Sequence, residues 1–264
     1  MDLKIICEDV CILAKDTGAF LKNEICKVKA TDVETKGLHD FVTYVDKNAE
    51  KKIIQRLQEI LPEAGFITEE KTITNKGELY NWIVDPLDGT TNFIHSVPCY
   101  SISIALMYKQ DIKLGVVYEI NLNECFYAYE GSAAFLNGKE IKVSKREKVE
   151  DALVATGFPC YDYSDLGKYL KLFTYFLKHS HGLRRFGSAA VDLAYVACGR
   201  FEGFFEYGLN PWDVAAGSFI VQQAGGKVYD FKGGDDYIFG KEITASNNAL
   251  AEEFLGIIKS GFEK

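Results

Sequence analysis

Apolar residues recur at helical spacing from Leu3 to Cys26, which predicts a long amphipathic helix at the start of the chain. The polar stretch from Lys27 to Asp40, containing Gly37, predicts a loop. A second helix is expected over Val45 to Leu61. There Ile53, Ile54, Leu57, Ile60 and Leu61 share a face, and Pro62 stops the helix. The pattern then shortens. Asn81 to Val84, Tyr100 to Met107, Lys113 to Tyr118 and Cys125 to Tyr129 are short β-branched or aromatic runs between polar turns, and they read as strands. Asn137-Gly138 signals a hairpin before a strand at Glu140 to Val143. After Ser144, strands at Ala152–Thr156, Gly203–Glu206, Lys227–Tyr229 and Ile243–Ala245 alternate with helices at Leu166–Lys178, Ala189–Cys198 and Pro211–Ala224, and a last helix follows Ala249.

No repeat, low-complexity tract or flexible linker interrupts these 264 residues. Their length suits one unit over 1–264, with lobes at roughly 1–145 and 146–264 that share a cleft. Layered sheets and helices are the expected architecture. The net charge of −8 argues against nucleic acid as the main partner, since a phosphate backbone calls for a basic surface. A small anionic substrate stays open if cations are concentrated locally. The seven cysteines are scattered and contain no C-x-x-C pair, which suits reduced thiols in a cytoplasmic protein. Met1 to Glu8 does not resemble a signal peptide, and no run approaches the ~20 apolar residues of a membrane span.

Candidate chemistry is concentrated in WIVDPLDGTTNF, Trp82 to Phe93. An apolar strand is expected to end at Asp85, because Pro86 breaks the ladder. Asp88 follows three residues later, and Gly89, Thr90 and Thr91 open a helix or tight turn. Two carboxylates at a strand end can converge on a hard cation, and turn amides can face a phosphate. The plainer alternative is a turn with two capping acids. Glu69-Glu70 follows the apolar run Gly65–Ile67 and, taken alone, reads as a solvated loop pair. In Asn210-Pro211-Trp212-Asp213, Asn210 suits an N-cap, Pro211 the first helical position and Asp213 the first turn. There an acid favours the helix dipole, and it could also be aimed outward as a ligand. The H-x-H at His179 and His181 reads as surface, and the arginine pair Arg184-Arg185 divides between a surface role and a phosphate contact.

Together these segments resemble the inositol monophosphatase family of lithium-sensitive, magnesium-dependent phosphatases. The resemblance rests on DFVTYVDKNAEKKI (Asp40–Ile53), FITEE (Phe66–Glu70), WIVDPLDGTTNF, RRFGSAA (Arg184–Ala190) and FFEYGLNPWDVAAG (Phe204–Gly217), in that order along the chain. Thr68 departs from it, because many members have Gly before the Glu pair. The resemblance implies an α+β fold, a layered α/β/α/β/α sandwich of two sheets and helix pairs. It also implies that the side chains of Glu69, Asp85, Asp88 and Asp213 and the carbonyl of Leu87 hold two or three Mg²⁺ ions. Asp46 and Thr90 would orient or deprotonate the attacking water, with Glu70 behind them or near a further metal. Gly89 and Thr90 would hold the phosphate, and Gly187, Ser188, Ala189 and Glu206 the substrate hydroxyls. A flexible, metal-associated loop is implied at Lys27–Asp40, as are a homodimer and inhibition by Li⁺.

The implied reaction is Mg²⁺-dependent hydrolysis of a small polyol or sugar monophosphate, inositol 1-phosphate first among them, by direct attack of water. Two Mg²⁺ ions ~3.5–4 Å apart would serve the nucleophile and the leaving alkoxide. Fructose 1,6-bisphosphate, 3′-phosphoadenosine 5′-phosphate and histidinol phosphate are the alternative substrates. A non-catalytic phosphate binder is the alternative class. A phosphatase with an aspartyl nucleophile would need D-x-D-x-T near the chain start, whereas the acids here are three apart and begin at Asp85.

Overall fold

The computed structural model describes residues 1–25, 27–28, 30–37, 40–73, 75–159 and 163–262. Asp2 starts helix α1 (Leu3–Glu24) by accepting the amides of Lys4 and Ile5 on its carboxylate, at 3.0 and 3.3 Å. The expected end of this helix at Cys26 lies outside the described residues. The stretch expected to be a loop contains an antiparallel ribbon, β1 (Val33–Gly37) and β2 (Asp40–Thr43), with Val33 opposite Thr43. A ribbon that stands on backbone pairing and is built largely of polar residues carries no apolar alternation, which is why the sequence pattern hid it. Thr43 then caps α2 (Tyr44–Ile60). Its hydroxyl accepts the Val45 amide at 3.1 Å, while Asp46 Oδ2 accepts the Thr43 amide at 2.9 Å.

The strands β3 (Gly65–Thr68), β4 (Tyr80–Asp88), β5 (Ser101–Tyr108), β6 (Asp111–Glu119), β7 (Glu124–Tyr129), β8 (Ala134–Leu136) and β9 (Lys139–Ile141) form a seven-stranded sheet in sequence order, with α3 (Thr90–Ile94) between β4 and β5. Only β3–β4 is a parallel pair in this sheet. Asn137 and Gly138 both take positive φ between β8 and β9, as the hairpin signal requires. The second sheet has five strands. Its members are β10 (Leu153–Thr156), β11 (Gly182–Arg184), β12 (Gly203–Tyr207), β13 (Lys227–Tyr229) and β14 (Glu242–Ser246), in the order β11-β10-β12-β14-β13. The helices α4 (Leu166–His179), α5 (Ala189–Ala197), α6 (Pro211–Gln223) and α7 (Ala251–Phe262) complete the chain.

Strand alternation builds the layers. Trp82, Val84, Ile102, Ile104, Leu106, Leu114 and Val116 face α1 and α2, while Ile83, Ala105, Met107 and Val117 face α5 and α6. Because α5 and α6 lie between the two sheets, they are apolar nearly all round; every residue of α5 is buried. The outer face of the five-stranded sheet is covered by α4 and α7, with Phe176, Phe205 and Phe254 at its centre. The result is the α/β/α/β/α sandwich expected from the resemblance. Among the described residues no helix is long and apolar enough to cross a membrane. Cys7, Cys11, Cys99, Cys125 and Cys198 are free thiols; Cys26 and Cys160 lie outside the described residues.

Candidate active site

β4 does not stop at Asp85. It continues through Pro86 to Asp88, because the ladder bulges there: Asp85 pairs with Ser103 and Asp88 with Ser101. Two residues of β4 therefore stand against one of β5, and Pro86, having no amide hydrogen to donate, sits in the unpaired interval. The extra residue also reverses the alternation. In a regular strand residues three apart face opposite ways, but here Asp85 and Asp88 share the face that looks toward α5 and α6.

The first turns of those two helices meet the carboxylates. Asp88 Oδ2 accepts the Ser188 hydroxyl at 2.7 Å and the Ala190 amide at 2.8 Å, at the start of α5. At the start of α6, Asp213 Oδ2 accepts the Asn210 amide at 2.7 Å. Oxygen atoms of Asp85, Asp88 and Asp213 lie within 4.8 Å of one another. Glu69 stands beside this trio, its carboxyl hydrogen-bonded to that of Asp85. Burial, then repulsion from Glu69, Asp88 and Asp213, pushes the Asp85 pKa well up; burial and then Asp88 do the same to Asp213. Asp88 rises to about 6 because burial outweighs its bonds to Ser188 and Ala190. An all-carboxylate cluster with such mutual repulsion fits a hard divalent cation, which would supply the missing positive charge through the oxygen ligands it prefers.

These groups line a cavity of about 150 Å³. Of the residues singled out from the sequence, Glu69, Asp85, Leu87, Asp88, Gly89, Thr90, Gly187, Ser188, Ala189, Glu206 and Asp213 lie on its wall. Gly89 takes φ +100° to turn the chain from β4 into α3; a Cβ there would press on the Cys99 and Gly187 carbonyl oxygens at 3.1 and 3.2 Å. Asn92 ties this turn to the opposite wall, donating to the carbonyls of Cys99 at 2.7 Å and Phe186 at 2.6 Å. Asp46 and Glu70 are not on the wall. Asp46 is fully buried behind it, where Thr90 Oγ1 lies 3.2 Å from Asp46 Oδ1 and 3.0 Å from the Leu87 carbonyl. Burial raises the Asp46 pKa against the bonds from Thr43 and Thr90. Thr68 keeps negative φ, so its replacement of glycine brings no backbone strain.

Glu206 also lines the cavity, pressed against Gly157 so closely that a Cβ there would overlap its carboxyl group at 1.9 Å. Burial pushes its pKa up to about 8, opposed by Arg185 and assisted by Asp88. Sequence reasoning missed Asp192, which lines the same cavity, is almost fully buried and has an Oδ1 with no hydrogen-bond partner among the described residues. No local signal marks Asp192, because nothing in its neighbours along the chain announces that it meets a cavity. Arg184 and Arg185 are both exposed, but only Arg185 lines the cavity, over the Phe158 ring, whereas Arg184 donates to the Leu183 carbonyl. His179 and His181 stay outside the cavity, beside Tyr175 and Arg146.

The signature of the inositol monophosphatase family matches residues 6–261. The chain is 40% identical over 248 residues to a putative Nus factor SuhB of Neisseria meningitidis, covering 94% of this chain and 95% of that one. It is 37% identical over 247 residues to an inositol-1-monophosphatase of Mesorhizobium japonicum, covering 93% of each. Among solved structures, the suppressor protein SuhB of Bartonella henselae superposes with TM-score 0.92 at 39% identity, over 98% of this chain and 100% of that one. An IMPase of Thermotoga maritima gives 0.87 at 37%, over 96% of each. The net charge of −8 is a sum over the whole chain and does not describe any one patch of its surface. With a match across nearly its whole length and a fold shared at this level, the chain belongs to the inositol monophosphatase family.

Proposed function

We propose that the chain hydrolyses a small polyol or sugar monophosphate, inositol 1-phosphate first among them, in a reaction that depends on Mg²⁺. The observation that carries this reading is the trio Asp85, Asp88 and Asp213, converging within 4.8 Å on a cavity that Gly187–Ala189 and Glu206 also line. Glu69, Asp85, Asp88 and Asp213, with the Leu87 carbonyl, would hold two or three Mg²⁺ ions. When bound, Mg²⁺ neutralises the phosphate dianion and makes a water molecule acidic enough to react.

The chain's own groups do the rest. A single hydroxyl proton on Thr90 can serve Asp46 Oδ1 or the Leu87 carbonyl at any moment. Bonded to Asp46, Thr90 offers a lone pair to a water hydrogen, orienting the water for in-line attack and giving its proton a path to the carboxylate. Glu70 backs the Glu69 side of the centre. Gly89 and Thr90 face the phosphate. Glu206 and the start of α5 receive the substrate hydroxyls. The Ser188 hydroxyl serves chiefly to hold Asp88.

The test is phosphate release from inositol 1-phosphate, fructose 1,6-bisphosphate, 3′-phosphoadenosine 5′-phosphate and histidinol phosphate, with Mg²⁺ and with added Li⁺. Preference for inositol 1-phosphate, requiring Mg²⁺ and blocked by Li⁺, is the expected result. Preference for another of the four moves the substrate and keeps the centre. No metal-dependent release from any of them favours the non-catalytic phosphate binder. The same preparation should run as a homodimer by light scattering.

A second role, as a Nus factor, is supported by the 40% identity to relatives of that name over more than nine-tenths of the chain. Complementation of a strain lacking its own SuhB, with wild type and with Asp88→Asn, separates the two roles. Rescue by both would show a role independent of hydrolysis.

A further inference from the structure

Glu50 is completely buried, and no lysine or arginine pairs with it among the described residues. Its carboxylate is satisfied by a single short segment. Oε1 accepts the Thr68 hydroxyl at 3.0 Å, the Thr72 amide at 2.8 Å and the Thr72 hydroxyl at 2.6 Å; Oε2 accepts the Glu70 amide at 2.8 Å. Those four bonds enclose Glu69 and Glu70. Buried anions held only by hydrogen bonds keep their donors in place, because releasing any one of them leaves charge unsolvated.

Asp46 lies one helical turn earlier on the same buried face of α2. Asp46 grips the turn after β4 through Thr90, and Glu50 grips the turn after β3. One rigid helix thus sets the spacing between the two segments that carry Glu69 on one side and Asp85 and Asp88 on the other. Thr68, the departure from the family's usual glycine, takes part through its hydroxyl.

We propose that Glu50 is a positioning residue that fixes the Glu69–Glu70 turn against the Asp85–Asp88 bulge and thereby sets the affinity of the centre for a divalent cation. The proposal rests on the reading of the carboxylate cluster as a cation site.

Its test is calorimetric titration of Mg²⁺ into chelator-stripped protein, without substrate. Glu50→Gln keeps the volume but turns one acceptor into an NH₂ that faces donors. Loss of outer support for a metal ligand typically costs about 10- to 100-fold in affinity, and because Glu50 fixes the residues that flank Glu69, weakening of about tenfold is expected here. The far-UV spectrum and cooperative melting should persist, and kcat at saturating Mg²⁺ should stay within about threefold because the ligands themselves are unchanged. Thr72→Val removes one donor and keeps the shape, and should weaken Mg²⁺ by a smaller factor, about two- to fivefold. Wild-type affinity in folded Glu50→Gln overturns the proposal. If that variant does not fold, wild-type affinity in Thr72→Val overturns it instead. Absence of Mg²⁺ binding by the wild type overturns the cation-site reading itself, whereas binding lost in Asp88→Asn but kept in Glu50→Gln overturns the positioning role alone.

Discussion

Ser188 donates a 2.7 Å hydrogen bond to Asp88 across one hundred positions of sequence, joining the start of α5 to the bulge of β4. The same hydroxyl oxygen accepts the Val191 amide at 3.3 Å as the N-cap and lies 3.1 Å from Ser101 Oγ. Ser188→Ala removes a cap and a bond to a carboxylate together. Chemical denaturation should show a loss of about 1–2 kcal/mol in the metal-free protein. Retention of full stability would mean that water replaces the hydroxyl.

Asp88→Asn keeps the size of the side chain and deletes one charge of the trio. The rate of phosphate release at saturating substrate should fall at least ~100-fold through lost charge stabilisation of the metal. The rise in melting temperature on adding Mg²⁺ should shrink with it. A variant that turned over normally with Mg²⁺ would contradict the assignment of Asp88 as a ligand.

The buried acids predict an unusual pH dependence for the metal-free chain. Asp88 at about 6 and Glu206 at about 8 titrate above ordinary carboxylates, so the folded state binds more protons than the unfolded one across that interval. Stability contributed by these protons is fully present below the unfolded values of about 4, and it is lost as pH rises through about 6 and then about 8. Melting temperature in chelator should therefore fall between pH 5 and pH 8 by roughly several degrees. Mg²⁺ should flatten that fall by taking over the role of the protons. A chelated protein whose stability rises over the interval would rule this account out.

Gly157 has no space for a side chain beside Glu206. Gly157→Ala must push the carboxyl group away, and misplacement by about 1 Å can cost up to ~100-fold in turnover. The expected signature is a raised KM for the polyol phosphate with Mg²⁺ affinity little changed, because Glu206 is not among the carboxylates proposed to hold the metal. Wild-type kinetics would remove Glu206 from the substrate contacts.

Much of the centre was legible in the chain because its ligands are local. Asp85, Leu87, Asp88, Gly89 and Thr90 occupy one strand end and one turn, and the covalent chain alone brings them near each other. The Asn210–Asp213 cap could likewise be read, since a helix start is written in adjacent residues. Three features were not legible. Pro86 looked like the end of a strand, and only pairing with Ser101 and Ser103 shows a bulge. Asp192 carries no signal in its neighbours, and Arg185 divides between a surface role and a phosphate contact; only the tertiary structure puts both on the wall of a cavity. Nothing near Glu50 in the chain marks it, because its donors lie 18 to 22 residues away.

By itself, then, the sequence determined the helices with strong periodicity, the strands with β-branched or aromatic runs, and the order of the acidic motifs. These depend on period and on neighbours a few residues apart. Tertiary structure alone decided that Asp85 and Asp88 face the same way, that Asp213 joins them, and that Glu50 ties together Thr68, Glu70 and Thr72 around Glu69. Such decisions come from strand register, helix packing and buried hydrogen bonds between distant segments, whose partners no local pattern can name.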